Sequence, residues 1–289
     1  VVVDDYDMRI THVIRGDDHL NNTPRQMNML DALGASPPVY AHLPMILGQD
    51  GAKLSKRHGA VDIREYRDRG YLPEAVLNYL VRLGWSHGDQ EIFHIDEMVK
   101  LFDVEDVNQS ASSFNPEKLL WLNQQHIIAA PAERLAEAVE PFVRRAGFDP
   151  DSGPALTDLA DGYRERADTL EAMVASASYC FEDFDAIDEK AARKNLRPVI
   201  LEPLQAFRNE LGGLDEWGRD GIARILENIA ARFELNLGKV GQPVRVSVTG
   251  GSVSPPIDTT VYLVGKERCL KRLDAGIAYI ERRIADSAA

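Results

Sequence analysis

Cysteine is almost missing from this chain. Only Cys180 and Cys269 occur, far apart and in apolar helical surroundings, with no C-x-x-C and no histidine at ligand spacing. That pattern argues against both a disulfide framework and structural zinc, and no metal-ligating side chains are assigned. An excess of positive charge is missing too: 33 Lys and Arg face 46 Asp and Glu, for a formal net charge of −13. Such a chain is a poor candidate for coating nucleic acid nonspecifically, because that binding is mostly phosphate neutralisation, although a specific RNA partner gripped by a local basic surface stays open. No run approaches the roughly 18 apolar residues of a membrane span, and "VVVDDYDM" has neither a basic n-region nor a cleavage site, so the expected location is the cytoplasm with no membrane partner. Two glycine-rich nucleotide motifs are also absent, the Walker G-x-x-x-x-G-K-[ST] and a G-x-G-x-x-G following a strand.

What is present is enough for a sizeable core: 289 residues, 44% apolar, a length suited to about two domains. The chain lacks an initiator Met and opens on "VVVDD", which reads as a strand, so the start reads as the C-terminal part of a longer protein. Residues 1 to 50 follow α/β grammar. The β-branched "ITHVIRG" reads as a strand and "NNTPRQMNMLDALG" as a helix with Thr23 as N-cap, Pro24 at the first position and Gly34 past the end. From about residue 62 the pattern turns helical. Ala75, Tyr79 and Leu83 recur at four-residue spacing, and Asn115 with Pro116 starts a helix in "SSFNPEKLLWLNQQHI". Residues 131 to 289 read as amphipathic helices broken at "FDPDSGP", "NLRP", "GGLDEWG" and "TGGSVSPP". One of them, residues 159 to 178, places Leu159, Tyr163, Ala167, Leu170 and Val174 on a stripe. "QPVRVSVTGG" is ambiguous, since Val244, Val246 and Val248 alternate as in a strand.

Two stretches carry chemistry. In "GQDGAKLSKRHGA", Lys53, Lys56 and Arg57 crowd five residues flanked by Gly48, Gly51 and Gly59. Two lysines on such a loop suit a polyphosphate whose charge shifts during reaction, because an ammonium is a point charge that follows moving oxygens. A solvated basic turn is the bland alternative. In "HVIRGDDHL", Arg15 stands at the end of a β-rich run, where α/β sheets place ligand-binding residues, and a guanidinium there can clamp a carboxylate. A surface ion pair between Arg15 and Asp17 or Asp18 is the competing reading.

Taken together, "VVVDDYDMRITHVIRGDDHLNNTPRQ", then "KLSKRHGA", then "FNPEKLLWLN", and the ending "PVRVSVTGGSVSPPI" with "LVGKERCLKRL", resemble a bacterial-type glutamyl-tRNA synthetase from first residue to last. "KLSKR" is similar to the class I KMSKS signature. The H-I-G-H signature is absent, since none of the seven histidines begins an H-x-G-H. The resemblance implies a fold class: the second half of a Rossmann-like class I catalytic domain in residues 1–59, a helical stem-contact domain in 60–125 and a helical anticodon-binding domain in 126–289. It also puts "QPVRVSVTGG" in a helix. The implied reaction is activation of L-glutamate by ATP with Mg²⁺, then transfer to tRNA(Glu), by a monomeric enzyme of which this chain is an incomplete and by itself inactive part.

The same resemblance assigns roles. Lys56 stabilises charge on the β and γ phosphates with Lys53 assisting, Ser55 donates a hydrogen bond, and Arg57 stands where many class I enzymes have Ser. Asp18 and His19 line the ATP site, the backbone of Met45 and Ile46 meets adenine, and Arg15 binds a carboxylate of glutamate. Glutamate is then selected over glutamine because the amide leaves the guanidinium unsatisfied. Arg164 and Arg166 are candidates for anticodon contact, against a local pair between Arg164 and Asp168. Trp85 and Trp121 are candidate stacking platforms, with core packing the stronger expectation for Trp121. Glutaminyl-tRNA synthetase, with β-barrels in place of a helical anticodon domain, and a non-catalytic tRNA-binding fragment are the alternatives. Discrimination between glutamate and glutamine tRNAs is not legible.

Overall fold

The computed structural model describes residues 1–55 and 62–288, with side chains through 286. It separates into two compact units, Val1–His126 and Ile127–Ala289.

The first unit begins with a correction. Val2–Asp7 is a helix, α1, not a strand, and none of its residues is buried. With no strand paired alongside it among the described residues, a helix satisfies its backbone groups locally. The strand His12–Gly16 (β1) then pairs in parallel with Val39–Leu43 (β2), in register His12↔Val39 through Gly16↔Leu43. Parallel neighbours need a crossover, and the helix Thr23–Ala32 (α2) supplies it. Thr23 is not the cap: Asn22 holds that position and Thr23 is the first helical residue. The Thr23 hydroxyl is committed elsewhere, to Arg15 and His42. A second parallel pair joins Ile46–Leu47 (β3) to Ser112–Ser113 (β4).

Around these strands pack the short helices Ile63–Asp68 (α3), Pro73–Arg82 (α4) and Ile95–Leu101 (α5), and the first turns of Pro116–Ala129 (α6). The core they share contains Tyr71, Val76, Tyr79, Phe114, Leu119 and Leu122, with Ile46 and Leu54 packed against it. That contact ties β3 and the segment after it to a rigid base. The Asn115 side chain accepts from the backbone N–H groups of Glu117 and Lys118, the capping role its position before Pro116 predicts. A buried polar relay stiffens the unit: Asn78 Oδ1 accepts from the Phe93 N–H and meets His126 Nε2 at 3.0 Å, while its Nδ2 donates to the Glu91 carbonyl.

Trp121, expected in the core, is exposed, and Trp85 is buried. Trp85 is 2% exposed, in a cluster with Phe93 and Met98, whereas Trp121 is 41% exposed with the Lys118 ammonium 4.6 Å from its ring centre. Neighbours adjacent in sequence point to different sides of a helix, so the leucines flanking Trp121 did not report on its own face.

The second unit contains helices and no strand among the described residues: Ala132–Arg145 (α7), Leu156–Tyr163 (α8), Leu170–Ser176 (α9), Glu189–Asn195 (α10), Leu201–Gly212 (α11), Arg219–Arg232 (α12), Leu237–Thr249 (α13), Ile257–Val264 (α14) and Lys266–Ala288 (α15). The single helix read over 159 to 178 is two helices, α8 and α9. Thr169 interrupts it in extended conformation, its hydroxyl accepting from the Ala172 N–H. The stripe Leu159, Tyr163, Ala167, Leu170 and Val174 is nevertheless fully buried. "QPVRVSVTGG" is helical in α13, and Val244, Val246 and Val248 are each 0% exposed. A helix buried on nearly all sides carries no amphipathic period, so alternation there had no strand content. Gly250, left-handed at φ 75°, ends it.

Candidate functional site

Arg15 lies at the penultimate position of β1, paired in register with His42 of β2. Its guanidinium donates to Thr23 Oγ1 at 2.7 Å and to His42 Nε2 at 3.3 Å, and sits 5.3 Å from the centre of the Tyr40 ring. Tyr40 and His42, two residues apart on one strand, share a face and stack at 6.4 Å. The half-buried guanidinium therefore has an oriented polar surround and no carboxylate partner among the described residues. The surface pair with Asp17 or Asp18 does not form.

Asp18 instead meets Lys53. The 3₁₀ turn Asp17–Asn22 after β1 brings its carboxylate to 2.7 Å from Lys53 Nζ, across 35 residues of sequence. Its tight approach is allowed by Gly16, where a Cβ would lie 2.6 Å from Asp18 Oδ1. The hydrogen bond from Lys53 holds the Asp18 carboxyl below its usual range. Lys53 is placed by a reverse turn: Gly48 N–H donates to the Ala52 carbonyl, Gly51 has φ 76°, and Leu47 bridges Lys53 antiparallel. His19 is exposed, 4.0 Å from the Asp18 carboxylate. Met45 and Ile46 are half-buried at the start of β3, and the Ile46 carbonyl accepts from the Leu54 N–H. Ser55 is half-buried; Lys56 and Arg57 lie outside the described residues.

In the second unit, Arg164 is engaged by the protein itself. It donates to the carbonyls of Ile128 and Ala130 and pairs with Asp161 at 2.6 Å, one turn before it, in place of the anticipated local pairing with Asp168. Arg166 is exposed, with no side-chain partner among the described residues. The residues missed in the sequence are Thr23, Tyr40 and His42, which orient Arg15. The one signal for them was the two-residue spacing of Tyr40 and His42 in "VYAH".

Comparison with known proteins places this geometry. Residues 1–121 match the catalytic domain of the class I tRNA synthetases (E and Q), and residues 134–277 match an anticodon-binding domain. These two matches assign the chain to the class I tRNA synthetases. Over 285 residues the chain is 56% identical to glutamate-tRNA ligase 1 of Alkalilimnicola ehrlichii, and over 282 residues 53% identical to glutamate-tRNA ligase 2 of Coxiella burnetii. These alignments take in 99% and 98% of this chain and 60% of each relative. A solved glutamate tRNA ligase from Elizabethkingia meningosepticum, in complex with its amino acid, superposes with a TM-score of 0.81 at 29% identity, covering 96% of this chain and 59% of that one. The synthetase from Elizabethkingia anophelis gives 0.78 at 28% identity, over 96% and 58%. The chain belongs to the glutamate-tRNA ligase family and spans about 60% of the length of the curated relatives it matches.

Proposed function

We propose that this chain serves ATP-dependent activation of L-glutamate and its transfer to tRNA(Glu) in the cytoplasm. Residues 1–59 contribute to the catalytic domain, 60–125 contact the acceptor stem and 126–289 bind the anticodon. The observation that carries the reading is Arg15, a half-buried guanidinium oriented by Thr23 and His42 and lacking an acidic partner among the described residues. Such a group is costly to leave unpaired and is prepared for a carboxylate arriving with the substrate. Glutamate satisfies it and glutamine does not, so selection at this position follows from charge.

Activation requires no side-chain nucleophile. Lys53 and Lys56 neutralise phosphate oxygens as pyrophosphate departs, Ser55 and Arg57 support the loop's grip, and Asp18 and His19 border the nucleotide with the backbone of Met45 and Ile46. Lys53 is bonded to Asp18 in the free chain, so phosphate must compete for an ammonium already in place. No three carboxylate, histidine or cysteine side chains converge on a metal position among the described residues. Mg²⁺, which dehydrates reluctantly and is usually held through substrate phosphates, would share their charge there. Arg166 is retained for anticodon contact, and Arg164 supports the helices around it. The helical second unit favours this reading over glutaminyl-tRNA synthetase, whose β-barrels have no counterpart among the described residues.

The test is ATP–pyrophosphate exchange with tRNA present, comparing this chain with one extended to the length of its relatives. Exchange by the extended chain with glutamate but not glutamine, lost on Lys56→Ala, is the expected result. No exchange with either amino acid would leave the non-catalytic tRNA-binding fragment as the better account.

A further inference from the structure

Charge in the second unit is unevenly distributed. Residues 189–197, "EKAARKNLR", hold four bases and one acid in a chain of net charge −13. The acid is spent locally, since Glu189 pairs with Arg193 one turn on. Lys190, Lys194 and Arg197 remain exposed with no partner among the described residues, and so does Arg282 near the end of α15. Lys190 and Lys194 are four residues apart on α10, hence neighbours about 5–6 Å apart at Cβ.

This basic face is firmly mounted. Arg283 of α15 donates to the carbonyls of Arg193 and Leu196 at 3.1 and 3.0 Å, closing the C-terminal end of α10. Ala191 and Ala192 are buried beneath it. At the other end, Asp188 caps α10 through the Ala191 N–H, and its own N–H donates to the carbonyl of Gly250, the residue that ends α13. The loop that starts at Gly250 runs to Ser254 and Pro255, where Arg245 binds their oxygens.

We propose that Lys190 and Lys194 of α10, with Arg197 just beyond its end, form a phosphate-binding surface that grips the backbone of an RNA. The proposal rests on the tRNA reading above and adds the surface that positions the strand. Phosphate contacts fix register without reading sequence, and flexible lysines suit them. Clustering is what lets an acidic protein hold a polyanion: the attraction is confined to one face and falls off within about a Debye length, roughly 8–10 Å at 0.1–0.15 M salt.

The test is equilibrium binding of this chain to a tRNA(Glu) transcript between 50 and 200 mM salt, by fluorescence anisotropy. Wild type is compared with the triple variant Lys190→Gln, Lys194→Gln, Arg197→Gln, and with a control carrying Arg224→Gln and Lys239→Gln on α12 and α13. Circular dichroism verifies that each is folded. At about 0.7 per phosphate contact for a single strand, the triple variant should lower the slope of log K against log salt by about 2. Its affinity should fall roughly tenfold or more at 50 mM salt and less at 200 mM, while the control keeps the wild-type slope. Wild-type binding with an unchanged slope in the triple variant, or an equal loss in the control, overturns the α10 surface and leaves the tRNA reading standing. No binding by wild type sinks the tRNA reading and this surface with it.

Discussion

Arg15 is the residue on which the proposed glutamate site rests. Its hydrogen bonds run to a threonine hydroxyl and an imidazole, partners that aim the guanidinium and bring it no negative charge. Arg15→Lys keeps the charge but loses the planar fork, so kcat/KM for glutamate in the extended enzyme should drop about 10- to 100-fold, from roughly 1.5–3 kcal/mol of charged hydrogen bonding. Thr23→Val tests the positioning contact. It should raise KM for glutamate by about 3- to 10-fold with kcat little changed, and a loss confined to kcat would count against this role. The same threonine was legible in the sequence only as a helix cap. That reading was wrong, because Asn22 holds the cap position and the partner that the Thr23 hydroxyl chooses depends on β1 and β2 lying side by side.

At the scale of the element, local signals were reliable where the chain satisfies its own backbone and unreliable where a face had to be chosen. Asn115 with Pro116 announces the start of α6, and Asn115 caps it. Trp121 within that helix looked internal from its leucine neighbours and is exposed. Trp121→Ala should therefore cost less than about 1 kcal/mol in urea denaturation, against about 3–5 kcal/mol for Trp85→Ala, whose ring fills a closed cluster. The end of α13 gives a sharper test. Gly250 has φ 75°, and an added Cβ would come within 3.1 Å of the Phe184 ring. Gly250→Ala should destabilise by about 1–2 kcal/mol from the left-handed strain, read as a lower urea midpoint at unchanged m-value.

For the whole molecule, stability should depend on pH in two stages. Burial pushes His126 below the ordinary imidazole value of 6.5, with Glu74 opposing and His94 reinforcing the shift. A depressed histidine is neutral in the folded state while the unfolded chain takes up a proton. Stability thus rises with pH up to about 6.5 and is lost as pH falls below it. His126→Gln should flatten that limb. The second stage belongs to carboxylates held below their usual values, Glu91 by Lys118 and Arg82, and Asp183 by Lys271 and Arg272. Their contribution is present above the ordinary carboxylate range and disappears as pH drops through the depressed values. Urea midpoints between pH 3 and 8 would show both limbs, and a midpoint flat from pH 8 to 5 would refute the His126 assignment.

The sequence by itself determined the helical character of the second unit, the strand-end arginine and the stripe of Leu159, Tyr163, Ala167, Leu170 and Val174, because turn residues and apolar spacing act over a few residues. It also carried the family, through motifs in a fixed order. Only the tertiary structure decided that Val2–Asp7 is helical, that α8 and α9 are separate, that Trp121 faces water, and that Asp18 reaches Lys53 across 35 residues. Each of these turns on what lies opposite a residue in space: a strand with no neighbour, a threonine that finds a cap, a ring with nothing over it, a carboxylate beside an ammonium. Local propensities are worth tenths of a kcal/mol, whereas burying an apolar side chain between distant segments is worth more, and the stronger interaction prevails.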